Sequence, residues 1–322
     1  MPDAPASASA TGSASASASA TGSASASAAG SASAAARPQA LLLTFFGGHL
    51  LDRSPEEAVS AGSLVGVLQR LGIGEHATRA TLARMVRRGF LVRHRNGRRV
   101  YLGLSDTATE VLRDGARRVW DRAVVNRDWD GTWTLLAFSL PETRRADRHL
   151  LRSRLTWAGF GPLQNGLWVA PSAFDPGGLF ADLDVDAHVK AFQGRAVPSV
   201  DVAELISSAW DLPALAARYR LFLERWDRVR PVSEVGDDLS RQLLLLTEWL
   251  LLRRDDPWLP LEHLPPDWPA VRAEQVARWL RKAYDQGARD LVEATVDQLQ
   301  LSAGRARAAA CSSGPARGRR VR

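Results

Sequence analysis

The segment Glu75–Tyr101 (EHATRATLARMVRRGFLVRHRNGRRVY) narrows the fold more than any other part of the chain. Its first half has helical spacing. At 100° per residue, Leu82, Met85 and Val86 fall on one side with Thr78 near them. Ala77, Ala80, Thr81, Arg84, Arg87 and Arg88 are assigned to the opposite side, with Arg79 on a flank. Gly89 is placed to end the helix in a left-handed conformation. Phe90, Leu91 and Val92 then begin a strand. Asn96-Gly97 predicts a type I′ hairpin turn, because both central residues of that turn need positive φ. Arg98 to Leu102 return as the second strand. A short helix followed by a basic hairpin has the form of a winged helix-turn-helix.

This segment carries eight arginines against one acid, Glu75. A solvated helix face would also carry arginines. Here, however, a helix, a glycine stop, a hairpin and arginines on both elements coincide, and together they point to double-stranded DNA. The candidate contact set is Thr78, Arg79, Ala80, Thr81, Arg84, Arg87, Arg88, Arg93, Arg95, Arg98 and Arg99. Thr81, Arg84 and Ala80 are expected nearest the base edges, while Arg79, Arg87 and Arg88 hold phosphates. The four hairpin arginines would touch the adjacent backbone or minor groove.

Charge supports a local anionic partner. The whole chain has 42 Lys+Arg and 35 Asp+Glu, a formal net charge of +7. Residues 37–124 hold fifteen arginines against eight acids, whereas the later ordered regions read as nearly balanced. The single cysteine, Cys311, excludes disulfides and cysteine-based zinc sites within one chain. No apolar run has the length of a membrane span, and no signal-peptide core is visible, so a cytoplasmic setting is expected.

The organisation reads as five stretches. Residues 1–36 form an Ala/Ser/Gly repeat expected to be a disordered leader. Residues 37–124 make the DNA-binding unit, with helices at Leu41–Leu51 and Ser63–Leu71 ahead of the basic one, and an exit helix over Ser105–Arg122 capped by Ser105. Residues 129–201 read as a small ferredoxin-like α+β unit: strand Trp133–Leu140, helix Arg144–Trp157 and strand Leu167–Ala170, with Ala187–Phe192 and Ala196–Val200 as further candidate strands. Residues 202–301 are helical, with Leu212–Trp226, Leu243–Leu252 and a last helix from Val271 to Leu301. Residues 302–322 are a basic tail containing six arginines and no acid, open to reading as a solvated terminus or as a source of non-specific attraction to phosphates.

Several phrases taken together resemble the PaaX family of transcriptional repressors: RPQALLLTFFG, the basic segment above, WDGTWTLLAFSLPE, LRSRLTWAGFGPLQNGLWVAP and EWLLLRRDDPWLPLEHLPPDW. The likeness covers roughly residues 37 to 285. It implies a winged-helix domain, a central ferredoxin-like domain and a helical C-terminal domain. It also implies a homodimer on palindromic operator DNA, repressing a catabolic operon and released by an aromatic acyl-CoA such as phenylacetyl-CoA. The central unit resembles the CRISPR adaptation nuclease in shape. That fold uses an aspartate at the end of its first strand, and here Phe138-Ser139-Leu140-Pro141 offers no carboxylate before Glu142, so metal nuclease activity is not expected.

No enzyme signature is present: there is no phosphate loop, no dinucleotide fingerprint and no zinc spacing. No cofactor or metal is expected. An acyl-CoA site would need an apolar slot and arginines for the phosphates. Arg144, Arg145, Arg148, Arg152 and Arg154, with Trp157 and Trp168, are candidates, although a solvated helix face would present the same residues. The Gly159-Phe160-Gly161 corner has two readings, a tight structural turn or a close approach for an effector.

Overall fold

The computed structural model describes residues 38–51, 57–228 and 236–300. The Ala/Ser-rich leader and the basic tail lie outside the described residues. The fold is mixed α+β, with two four-stranded antiparallel sheets among the described residues.

The chain enters as helix α1, residues 38–49, followed by strand β1 (Glu57–Ser60) and helix α2 (Ala61–Gln69). Ser60 caps α2, its hydroxyl accepting the Ser63 N–H at 3.1 Å. Helix α3 (Glu75–Arg87) leads into the hairpin of β2 (Leu91–Asn96) and β3 (Arg99–Leu104). Gly89, at φ +73°, follows α3 as expected. The turn itself differs from expectation. Asn96 pairs with Arg99, so Gly97 and Arg98 are the central residues. Of these two only Gly97 has positive φ, +58°. That pattern matches a type II′ turn with glycine first, and the I′ assignment is corrected by one residue.

Helix α4 (Asp106–Trp120) leaves the hairpin, with the Ser105 hydroxyl accepting the Ala108 N–H at 3.2 Å. The central unit follows: β4 (Trp133–Phe138), α5 (Arg145–Trp157), β5 (Gly161–Gln164), β6 (Leu167–Ala170) and β7 (Val189–Gly194). Its strand order is β5-β6-β4-β7. Residues 196–200 lie in coil and turn, so no strand forms there. Helices α6 (Val202–Ala209), α7 (Leu212–Trp226), α8 (Asp238–Arg254) and α9 (Ala270–Thr295) then build the C-terminal region. Helix α8 is apolar nearly all round and is buried accordingly, with Leu239, Leu243, Leu245 and Trp249 each at 1% exposure or less.

The two ends of the fold are not separate bodies. Leu41, Phe45 and Phe46 of α1, Leu82 and Met85 of α3, Trp249 of α8 and Leu280 of α9 belong to one continuous core. The buried Thr247 hydroxyl donates to that of Thr44 at 2.8 Å across the α8–α1 contact. A three-residue strand, β8 (Gln298–Gln300), follows α9 and pairs antiparallel with β1, giving the first sheet the order β2-β3-β1-β8. The helical C-terminal region therefore supplies the edge strand of the hairpin's sheet.

The central sheet has its own core, in which Leu136, Leu151, Leu155, Phe160 and Trp168 meet. The glycine corner between α5 and β5 is tightly packed. A methyl on Gly161 would lie 2.6 Å from the Trp210 ring and 2.7 Å from the Ala209 carbonyl, and one on Gly159 3.1 Å from the Pro257 carbonyl. This supports the structural reading of the corner. Gly161→Ala is expected to lose about 1–3 kcal/mol to overpacking, read as a lowered urea midpoint with unchanged slope. An unchanged midpoint would show that α6 moves aside freely.

Candidate nucleic-acid interface

Helix α3 packs through Thr78, Thr81, Leu82 and Met85, all buried. Two members of the expected contact set are therefore corrected. Thr78 is 0% exposed, and its hydroxyl donates to the Gly74 carbonyl at 3.2 Å. Thr81 is 3% exposed, and its hydroxyl accepts from the Arg84 guanidinium at 3.2 Å. Thr81 lies four residues before Met85, about 40° away around the helix, which places it on the core side. Neither threonine reaches a ligand outside the protein. Ala80, Arg79, Arg87 and Arg88 are exposed and Arg84 is half-buried. Arg79 is held by Glu75 at 2.6 Å.

The hairpin sorts its arginines by strand alternation. Arg93 lies opposite Leu102 and Arg95 opposite Val100, so both share the sheet face of Leu91 and Leu102. Leu91 and Leu102 belong to the same core as Leu82 and Met85 of α3. Arg93 and Arg95 consequently continue the α3-facing side of the hairpin past the end of its apolar part. Arg98 occupies the turn. Arg99 lies on the other face, opposite Asn96, two residues from Tyr101. There it donates to Asp297 at 2.9 Å, and the Tyr101 hydroxyl donates to the same carboxylate at 3.1 Å. Hydrogen bonding to the Tyr101 side chain and then to Asp297 holds the Arg99 guanidinium above its usual range. Arg99 is thus tied to the segment between α9 and β8, and the expectation that it stands free for phosphate is corrected. Nothing local in the sequence announces this partner, which lies 198 residues away.

Among the described residues, Arg84, Arg87, Arg88, Arg93, Arg95 and Arg98 meet no carboxylate. The exposed end of α3 and the α3-facing side of the hairpin thus form one guanidinium-rich surface. His94 lies on the other face beside Tyr101 and is held below its usual range by burial, so it stays neutral at pH 7 and adds no charge.

The candidate effector residues scatter. Trp168 is 7% exposed in the central core and cannot line an open site as expected. Arg144 donates to Asp147 at 2.7 Å and to the Asp184 carbonyl at 2.6 Å. Arg148 donates to Glu142 at 2.9 Å. Arg154 is forked onto Asp182, holding that carboxyl down to about 2. These three arginines fasten the α5 surface to neighbouring loops. Arg145 and Arg152 are exposed, and Trp157 lies under the Arg118 guanidinium, 4.1 Å from the ring centre. No group of His, Cys, Asp and Glu that could hold a metal occurs among the described residues. No helix there is long and apolar enough to cross a membrane.

Three successive family profiles match the chain. Residues 37–108 match the profile described as PaaX-like protein, residues 126–206 the PaaX protein central Cas2-like domain, and residues 210–294 the PaaX-like protein C-terminal domain. The transcriptional repressor PaaX of Escherichia coli (strain K12) is 30% identical over 250 residues, which is 74% of this chain and 77% of that protein. Among solved structures, the uncharacterized protein Rv0674 from Mycobacterium tuberculosis superposes with a TM-score of 0.51 at 25% identity, covering 73% of this chain and 92% of the other. With three matches in succession and a named relative covered over more than three quarters of its length, the chain belongs to the PaaX family.

Proposed function

We propose that the protein is a sequence-specific, DNA-binding transcriptional repressor and not an enzyme. The reading rests on one observation above the others: Arg84, Arg87 and Arg88 at the end of α3, with Arg93, Arg95 and Arg98 of the hairpin, meet no carboxylate among the described residues. Such a surface matches the spaced negative charge of a duplex backbone. In this reading α3 is the recognition helix of a winged helix-turn-helix and β2–β3 is its wing. Arg84 and Ala80 approach base edges, Arg79, Arg87 and Arg88 hold phosphates, and Arg93, Arg95 and Arg98 grip the flanking backbone. The curated relative's repressor role supports the regulatory half of the reading.

The central unit is read as ferredoxin-like. Its order β7-β4-β6-β5 around a single helix supports this, with short 3₁₀ turns at Pro176–Leu179 and Asp186–His188 where such folds carry a second helix. The repressor acts in the cytoplasm as a homodimer on a palindromic operator. It controls an aromatic catabolic operon, phenylacetate degradation by family likeness, and is released by an aromatic acyl-CoA such as phenylacetyl-CoA. The effector shifts the population away from the operator-competent geometry.

The test is binding of the purified protein to the intergenic DNA upstream of its own gene against a scrambled duplex, across a salt series. Selective binding is expected. Arg84→Ala should lose about 1–3 kcal/mol of discrimination at the base it reads. Equal binding to both duplexes would sink the specific reading and leave an architectural DNA binder.

A further inference from the structure

A cleft of about 460 Å³ opens where three parts of the fold meet. Arg122 and Asn126, in the connection after α4, form one wall. Trp129 forms the second, the Ser172 turn after β6 the third, and Trp258 from the loop between α8 and α9 the last. The volume falls within the range of small-molecule sites.

Two features of this cleft are unusual. The first is Arg122. Its guanidinium lies 4.5 Å from the centre of the Trp258 ring and meets no carboxylate among the described residues. Loss of hydration and the nearby Arg118 and Arg253 guanidiniums all disfavour its charge, and Asp114 alone opposes them. Asp121, Asp128 and Asp130 also line the cleft, as does Arg127. Asp130 is also engaged locally, accepting the Thr132 N–H at 2.9 Å.

The second feature is Trp258. Its φ is +57°, a left-handed conformation that a bulky side chain rarely adopts. It is held there by Asp256, whose carboxylate accepts the Trp258 N–H at 2.7 Å. The Ala123 carbonyl also accepts the indole N–H at 2.9 Å. Asp256 is itself anchored, since it accepts from the buried Tyr219 hydroxyl and faces Arg253 at 3.7 Å. Strain fixed by its surroundings and placed on a cleft wall is characteristic of ligand sites. Trp129 is fixed as well, its indole N–H donating to the Thr132 carbonyl at 2.9 Å with its ring edge-on to Trp133.

We infer that this cleft is the effector site, and that its ligand is an anion carrying a planar apolar group. The anionic end pairs with Arg122, whose guanidinium meets no carboxylate among the described residues. The planar group lies against the indoles of Trp258 and Trp129. The inference rests on the effector-controlled reading above, and it moves the site away from the α5 arginines. It also gives the ligand a route to the DNA surface. The Arg122 wall continues from α4, which leaves strand β3 of the hairpin directly, while the other lining residues belong to the central and C-terminal parts. A ligand that favours one spacing of these walls biases the setting of the hairpin relative to the rest.

The experiment titrates full-length protein with phenylacetate, phenylacetyl-CoA and inorganic phosphate, following heat by calorimetry and tryptophan emission. At least one of the two aromatic anions should bind and perturb emission, with phosphate weaker. Phenylacetate binding would assign the cleft to a free carboxylate, and binding of the thioester alone would assign it to a CoA conjugate. Arg122→Gln should weaken that ligand at least tenfold, and Trp258→Phe should weaken it while blunting the emission change. Arg145→Gln and Arg152→Gln on α5 should bind like the parent. Thermal unfolding of each variant checks that the fold is retained, and should Arg122→Gln not fold, Trp258→Phe carries the comparison. Parent-like affinity in the cleft variants, loss of affinity in the α5 variants, or no binding of any probe by the parent would each overturn the inference. Binding of the operator duplex without ligand is measured in parallel. Its failure would count against the DNA-binding reading and leave the ligand titration intact.

Discussion

Replacing Trp249 with alanine should unfold the hairpin-bearing unit and the C-terminal helices together. Trp249 is 0% exposed near the middle of α8. Its ring lies 5.6 Å from Phe222, 6.3 Å from Tyr219 and 6.4 Å from Trp120. The substitution removes a large apolar surface and leaves a cavity among aromatics contributed by α4 and α7. Truncations of this kind cost about 3–5 kcal/mol, a large share of the stability of a typical domain. The partition of the loss is more informative than its size. Because α1, α3, α8 and α9 share one core, the whole of that core should melt in one transition at a lower temperature. Hydrogen exchange at α3 amides and at α9 amides would accelerate to the same degree. Acceleration confined to α8 and α9 would show that the hairpin unit stands by itself and that the shared core is only a contact.

The second large effect concerns the hairpin. The triple variant Arg93→Ala/Arg95→Ala/Arg98→Ala should weaken every duplex alike, because these side chains are assigned to backbone rather than base edges. Each phosphate left without its guanidinium lowers the slope of log affinity against log salt by about 0.9, so the slope should fall by about 2–3. The ratio between operator and scrambled duplex should stay near that of the parent. Arg99→Ala makes a useful contrast. Its guanidinium is tied to Asp297 on the other face of the sheet, so the slope should hardly change. A slope reduced as much by Arg99→Ala as by a member of the triple would mean that the Asp297 pair opens when DNA binds.

Much of this fold is readable in the residues, and the failures have physical causes. Helix α3, the hairpin, the Ser105 cap and the long amphipathic helices follow from spacing and local chemistry, which act over a few residues. Thr81 is easily misplaced because a small polar residue among arginines suggests solvent, although its angular position beside Met85 does not. The turn is misjudged because Asn-Gly favours a type I′ turn in isolation, whereas in the fold the pairing of Asn96 with Arg99 sets the register. Strands β1 and β8 have four and three residues, too short for alternation to declare itself. Strand β8 forms only because β1 offers it an edge. The engagement of Arg144, Arg148 and Arg154 in and beside α5 is hidden for a related reason. Arginines in a row announce charge, but their partners at Asp147, Glu142 and Asp182 include loop positions that only the folded chain brings close. The cleft residues carry no motif, since its walls come from three separate segments spread between Asp121 and Trp258.

The pairing of β8 with β1 has a consequence for how the protein comes into being. The sheet that carries the hairpin is complete only after Asp297 and the strand behind it have been made, 198 residues later than Arg99. At about 5–20 residues per second, that interval on a ribosome is roughly 10–40 s. During it the nascent hairpin lacks its edge strand, its Arg99 clasp and half of its core. A chain broken off before α9 therefore emerges without a finished hairpin sheet, and on the proposed reading such fragments would not compete with the intact protein for DNA.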